Sequence, residues 1–195
     1  MAEKEQIVRE IFADCWNVTD EGMLQQMTQI SEVKTFAKKQ ILLREGAVAT
    51  EVYLIYEGVL RAYSFNEKGA DLTACFAYKK GIPMLGINSL TDLEPATVTL
   101  QAVTEATVLS IKLPLITEFI KNYPVPMYTV YLDMLEQVRS ANVKMAVMRS
   151  MQNRERCIWL KENHPDLIPM VKKKYLASYL NMTLSNYCVC MKELS

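Results

Sequence analysis

The chain has a single histidine, His164, and its five cysteines (Cys15, Cys75, Cys157, Cys188, Cys190) are scattered, with no histidine at metal-ligand spacing beside them. A metal centre is therefore not expected. The sequence also lacks a phosphate-binding P-loop, a nucleophile elbow and a Gly-x-Gly-x-x-Gly turn, so neither an enzyme nor a bound cofactor is expected. No segment approaches the ~18 uninterrupted apolar residues that span a bilayer. The N-terminal MAEKEQIVREIF is charged and helical in pattern, unlike the apolar centre of a signal peptide, which predicts a soluble, cytoplasmic protein. Net charge is absent as well: 22 basic residues balance 22 acidic ones. Any case for nucleic acid must then rest on a local patch. The cysteines read as reduced, mostly buried thiols. Cys188 and Cys190, one residue apart on a helix, point to different sides, which favours packing over a redox or metal half-site.

The 195 residues suffice for a main domain with a satellite. Ile7, Val8, Ile11 and Phe12 recur at helical spacing over residues 3–14, and a second short helix is expected around Met23 to Ile30. From Val33 the texture turns to short β-rich runs divided by Gly, Asn and Asp. Gly46, Gly58, Gly69 and Gly81 return every eleven or twelve residues, the turn rhythm of a small sandwich or barrel. Within them, YLIYEGVLRAY predicts a hairpin turning at a positive-φ Gly58.

After Leu113-Pro114 the helical period returns, first to Lys121 and then, past Tyr123-Pro124-Val125-Pro126, in a long run to about Gln152. Met127, Tyr131, Met134, Val138, Ala141, Met145 and Met148 recur in alternating steps of four and three, the seam of a coiled coil. Such a seam calls for a second chain, the alternative being that it packs on the chain's own β-domain. Lys and Arg at 139, 144 and 149 lie off the stripe. NRERCIWLKENHP then predicts a short buried helix ended by His164-Pro165. In KKKYLASYLNMTLSNYCVCMKEL, a helix from Lys173 to Leu180 meets a turn at Asn181-Met182, where a left-handed residue is needed, and Thr183 caps a second helix to Leu194. Two short helices with a tight turn are a helix-turn-helix candidate.

Taken together, the Glu45-Gly46 turn, the Tyr53-Leu54-Ile55-Tyr56-Glu57-Gly58-Val59-Leu60-Arg61 stretch and Tyr175-Leu176-Ala177-Ser178-Tyr179-Leu180 resemble the Crp/Fnr family of bacterial regulators over nearly the whole chain. The resemblance implies an α+β fold. An N-terminal double-stranded β-roll (jelly roll) with flanking helices would fill 1–123, a dimerisation helix 124–152, and a helix-turn-helix DNA-binding domain with little or no wing 153–195. In members of the family that bind cyclic AMP, a glutamate accepts from the ribose hydroxyl and an arginine pairs with the phosphate. Here Ile87 stands where that glutamate is expected and Ala96 where the arginine is expected. Losing such a pair removes roughly 1.5–3 kcal/mol, which disfavours cyclic AMP. The remaining effector cup would comprise Gly86, Ile87, Asn88, Ser89, Ala96 and Thr97. It is either a pocket for an uncharged small molecule or a filled, vestigial one. Iron–sulfur ligation is not implied, because Cys15 is alone in its region, and His164 reads as a cap or turn rather than a heme ligand.

The resemblance also places Thr183, Ser185, Asn186, Cys188, Val189 and Lys192 on a helix entering the major groove, with Lys172, Lys173 and Lys174 on phosphates. Cys188 and Val189 stand where the family commonly carries a serine and an arginine, so the usual guanine-reading guanidinium is missing. The three-lysine run could equally be a solvated face. The implied function is a dimeric transcription regulator of double-stranded promoter DNA, whose interface is Tyr131, Met134, Val138, Ala141, Met145 and Met148. The alternative is an interaction module that has lost effector and operator recognition.

Overall fold

The computed structural model describes residues 2–85, 94–123 and 127–194. Helix α1 (Ala2–Arg9) runs into a π-helical stretch (Glu10–Cys15), and α2 (Glu21–Ile30) follows, its first turn capped by the Asp20 carboxylate, which accepts Met23 N–H at 2.7 Å. The strands are β1 (Ser31–Phe36), β2 (Ile41–Leu43), β3 (Glu51–Glu57), β4 (Leu60–Phe65), β5 (Asp71–Ala77), β6 (Pro83–Met84), β7 (Thr99–Ala102) and β8 (Ala106–Lys112). Helices α3 (Leu113–Asn122), α4 (Met127–Ser150), α5 (Asn153–Asn163), α6 (Leu167–Met170), α7 (Lys173–Tyr179) and α8 (Leu184–Glu193) complete the described residues. The class is mixed α+β, with antiparallel sheets and C-terminal helices. Its strands form two four-stranded sheets, ordered β1-β8-β3-β6 and β2-β7-β4-β5.

Two compact units emerge: Met1–Ala62 with Phe76–Asp133, and Tyr63–Cys75 with Met134–Ser195. In the first, side-chain alternation along β3 sends Val52 and Leu54 to one face and Tyr53 and Ile55 to the other. The first pair joins Leu109 and Ile111 of β8 under a helical cover made by Ile7, Val8, Ile11, Phe12, Met23, Met27 and Phe119. The second pair joins Leu60, Leu100, Ala102 and Val108 between the sheets. Because β3 is apolar on both faces, it is buried on both, and it forms the centre of this unit.

The stretch YLIYEGVLRAY is not a hairpin. Both edges of β3 are taken, by β8 and β6, so β4 has no ladder to join and lies in the other sheet. Glu57-Gly58-Val59 is the crossing: Val59 N–H donates to Thr104 Oγ1 (2.9 Å) and its carbonyl accepts Val103 N–H (2.8 Å). Gly58 does have a positive φ of 89°, and a Cβ there would stand 2.3 Å from the Glu105 carbonyl oxygen, so only glycine fits this passage.

In the second unit the hairpin between β4 and β5 turns on Asn66, whose side chain accepts both Lys68 N–H (3.0 Å) and Ala70 N–H (2.9 Å). Helix α8 packs on α7 and α5. Cys157, Leu160, Leu167, Leu176, Leu180 and Tyr187 make the small core there. The cysteines depart from expectation: all are free, but Cys15, Cys75 and Cys188 are exposed and only Cys157 and Cys190 are buried. Cys188 and Cys190 do point to opposite sides of α8. His164 is the residue that ends α5. Among the described residues no helix is long and apolar enough to cross a membrane, and no group of three or more potential metal ligands occurs.

Candidate functional site

Two of the six cup residues can be placed. Gly86, Ile87, Asn88 and Ser89 lie outside the described residues. Ala96 is buried, and its backbone is stitched to the Glu45-Gly46 turn region: Gly46 N–H donates to Ala96 O (2.7 Å), and Ala96 N–H donates to Ala47 O (2.9 Å). Thr97 is exposed. Nearby in sequence, Thr99 Oγ1 accepts Glu45 N–H at 3.1 Å. A cation that the sequence reading passed over sits on β4: Arg61, only 3% exposed, whose guanidinium donates to Gln101 Oε1 at 3.0 and 3.1 Å. Gln101 in turn donates to Lys39 O at 3.0 Å. Strand alternation turns Arg61 to the face opposite Leu60 and Ala62, so its burial could not be read from the local pattern.

The pair α7–α8 is built by local chemistry. Lys172 precedes α7, and the helix closes with Leu180 N–H on Leu176 O (3.0 Å) and Met182 N–H on Ala177 O (3.0 Å). The chain then reverses through Asn181 at φ 52°, the left-handed conformation that asparagine tolerates better than other residues with a side chain. Thr183 Oγ1 accepts Asn186 N–H at 3.2 Å and starts α8. Tyr187 and Cys190 face inward; Leu184, Ser185, Asn186, Cys188, Val189 and Lys192 face out. Burial pushes the Tyr187 hydroxyl up to about 12 and the Cys157 thiol, beside Cys190, also to about 12, so both stay protonated packing groups. Lys172, Lys173 and Lys174 are exposed.

Arg156 is the residue that ties this unit together, and no sequence pattern singled it out. Its guanidinium donates to Met148 O (2.8 Å) and Met151 O (2.9 Å) at the end of α4, and to Leu180 O (3.2 Å) at the end of α7. One cation thereby satisfies carbonyls left open at two helix C-termini. A second set of ties runs from α7 to the start of β5. Ser178 Oγ accepts Thr73 N–H (2.8 Å) and donates to Asp71 O (2.8 Å). Lys144 Nζ donates to Ala74 O (2.5 Å) and Thr73 O (3.3 Å) and lies 3.8 Å from the Tyr179 ring centroid. Burial lowers the Lys144 ammonium to about 8, partly opposed by the neighbouring Cys75.

On α4, the face opposite the inward Lys144 and Val147 is uncovered. Tyr131 (54%), Met134 (42%), Val138 (58%) and Met145 (49%) are exposed, with Leu132 and Leu135 flanking them. Ala141 is exposed and Met148 half-buried. Among the described residues, then, Tyr131, Met134, Val138 and Met145 of the seam have no apolar cover.

In chain order among the described residues, the two antiparallel sheets with their helical cover are followed by one long helix and four shorter ones. Residues 33–123 match the family described as the cyclic nucleotide-binding domain. No curated protein matches the chain by sequence. Among solved structures, the c-di-GMP-responsive global regulator CLP of Xanthomonas campestris superposes with a TM-score of 0.73 at 14% identity, covering 90% of this chain and 91% of its own. FixK2 of Bradyrhizobium japonicum gives 0.72 at 17% identity, covering 85% and 84%. The catabolite activator protein of Thermus thermophilus gives 0.57 at 13%, covering 92% and 85%. At such identities the likeness is one of fold.

Proposed function

We propose that the chain is a Crp/Fnr-type transcription regulator, a cytoplasmic homodimer that binds double-stranded promoter DNA through α7 and α8 as a helix-turn-helix. The observation that carries this reading is the outward face of α8, which starts at a Thr183 cap immediately after the Asn181 turn and has lysines at both ends of the pair. A helix presented in this way fits a major groove, and its partner helix crosses the backbone. Residues 153–195 also concentrate positive charge: Arg154, Arg156, Lys161, Lys172, Lys173, Lys174 and Lys192 outnumber Glu155, Glu162, Asp166 and Glu193. The uncovered stripe Tyr131, Met134, Val138 and Met145, with Ala141 and Met148, supports pairing through α4. At Ala96, a buried methyl flanked by backbone bonds offers no cation for a cyclic phosphate, which supports an effector other than cyclic AMP, or none.

Electrophoretic shift of the chain's own upstream DNA tests the reading. Binding should weaken steeply with salt, and changing Lys172, Lys173 and Lys174 to Ala should lower affinity similarly on every duplex and flatten the salt dependence. Absence of any shift at low salt would leave the interaction-module alternative standing. Val138→Glu should convert the dimer to a monomer in light scattering; an unchanged dimer would place the interface elsewhere.

A further inference from the structure

Resting on the reading of α8 as the base-reading helix, we infer that it recognises A·T base pairs, through Val189 and Asn186, and lacks among its outward residues up to Val189 the cation that selects guanine. The argument starts from which side chains point outward. Ser185, Cys188, Val189 and Lys192 fall at i, i+3, i+4 and i+7, a single outward stripe, with Asn186 alongside it; Tyr187 and Cys190 on the opposite side are buried. Val189 is central to that stripe and 55% exposed. In the groove, base edges are met by the residues of the N-terminal half of such a helix. The outward side chains from Ser185 to Val189, which runs one residue past that half, are one hydroxyl, one carboxamide, one thiol and one isopropyl group, with no charge among them.

Each of these has a defined partner. An isopropyl group has nothing to offer a hydrogen-bonding base edge, but it packs against the C5-methyl that only thymine presents in the major groove. A carboxamide matches the acceptor and donor on the adenine edge in bidentate fashion. A hydroxyl accepts either base, and a thiol donates too weakly to decide. Guanine presents two acceptors that call for a guanidinium or ammonium, and cytosine a donor that calls for a carboxylate. The nearest such groups, Lys192 and Glu193, come in the last turn of α8, where a lysine is placed to meet phosphate rather than a base edge. The exposed lysines 172–174 complement the same polyanion from the start of α7, so the occupant of this face is a duplex rather than an apolar protein groove.

The experiment is selection of random duplexes by the full-length protein at low salt, followed by titration of the recovered sequence with deoxyuridine in place of each thymine. Recovered half-sites should carry A·T at the central positions. Removing the one thymine methyl that meets Val189 should weaken wild-type binding about fivefold to tenfold, and the same change should cost Val189→Ala nothing further. Val189→Arg should shift the selected base toward guanine. Because the methyl is deleted from the DNA, a loss cannot arise from misfolded protein. Half-sites centred on G·C, or a uracil penalty that persists in Val189→Ala, would overturn the inference while leaving DNA binding intact. Recovery of no duplex at all would overturn DNA binding itself.

Discussion

In the first unit Phe119, Ile11 and Met23 are fully buried among hydrocarbon side chains, whereas in the second the carbonyls of Met148, Met151 and Leu180 converge on the single guanidinium of Arg156. The roll is covered on one sheet face by helices and filled on the other by its own strands, so its stability scales with apolar area and is shared among many residues. The helical unit is smaller, and directional polar bonds fasten its pieces: Arg156 at two helix ends, Ser178 and Lys144 on β5. Area tolerates modest changes of shape, but a polar tie has to be made with the right atoms in place. The same kind of substitution should therefore act differently in the two units.

The largest effect is expected from emptying the covered face of the roll. Phe119→Ala leaves a cavity against the Tyr123 ring and the cover formed by Ile11 and Phe12, and should cost about 3–5 kcal/mol in urea unfolding. A loss below 1 kcal/mol would mean that α3 contributes little and would undo the contrast. Next comes Arg156→Met, which keeps much of the apolar stem but abandons carbonyls at two helix ends. It should cost about 2–3 kcal/mol, seen as increased exchange of the last amides of α4 and α7 and reduced protection around buried Trp159. Unchanged exchange there would show that the guanidinium is an ornament on a packing-driven unit.

These contrasts also mark what could be read from the residues alone. The helical cover was legible because Ile7, Val8, Ile11 and Phe12 repeat at a helical period, and all four are buried. The turn between α7 and α8 was legible for a chemical reason: asparagine accepts a positive φ, and threonine caps the helix that follows. The sheet assignment around Gly58 was not legible. Strands that pair in a hairpin and strands that cross between sheets show the same alternation, and only the occupied edges of β3 exclude the first. Arg61, Arg156 and Lys144 were likewise invisible as structural groups, since a charged residue in sequence reads as solvated and its burial depends on carbonyls far along the chain. Of the cup, only Ala96 and Thr97 are among the described residues: the first is buried in a backbone stitch, and the second is exposed.

The smallest effect concerns pH, and it isolates a tie that the seam pattern had set aside as off-stripe. Lys144 keeps its proton in the unfolded chain up to the ordinary 10.5 but releases it near 8 when folded, because burial disfavours the ammonium. Between these values the unfolded state binds more protons, so this group makes stability rise with pH from about 8 to about 10.5 and adds no slope below 8. The neutral amine still has two N–H groups for the carbonyls of Thr73 and Ala74, so the tie survives the loss of charge. Cys157, Tyr187 and Tyr53 act in the opposite direction: burial pushes each to about 12, and stability falls as the unfolded chain ionises them first. The measurement is accordingly a difference. Wild type minus Lys144→Met should gain on the order of 1–3 kcal/mol between pH 7.5 and 10. A flat difference would mean that Lys144 is solvated like a surface lysine, and that α7 is held to β5 by Ser178 alone.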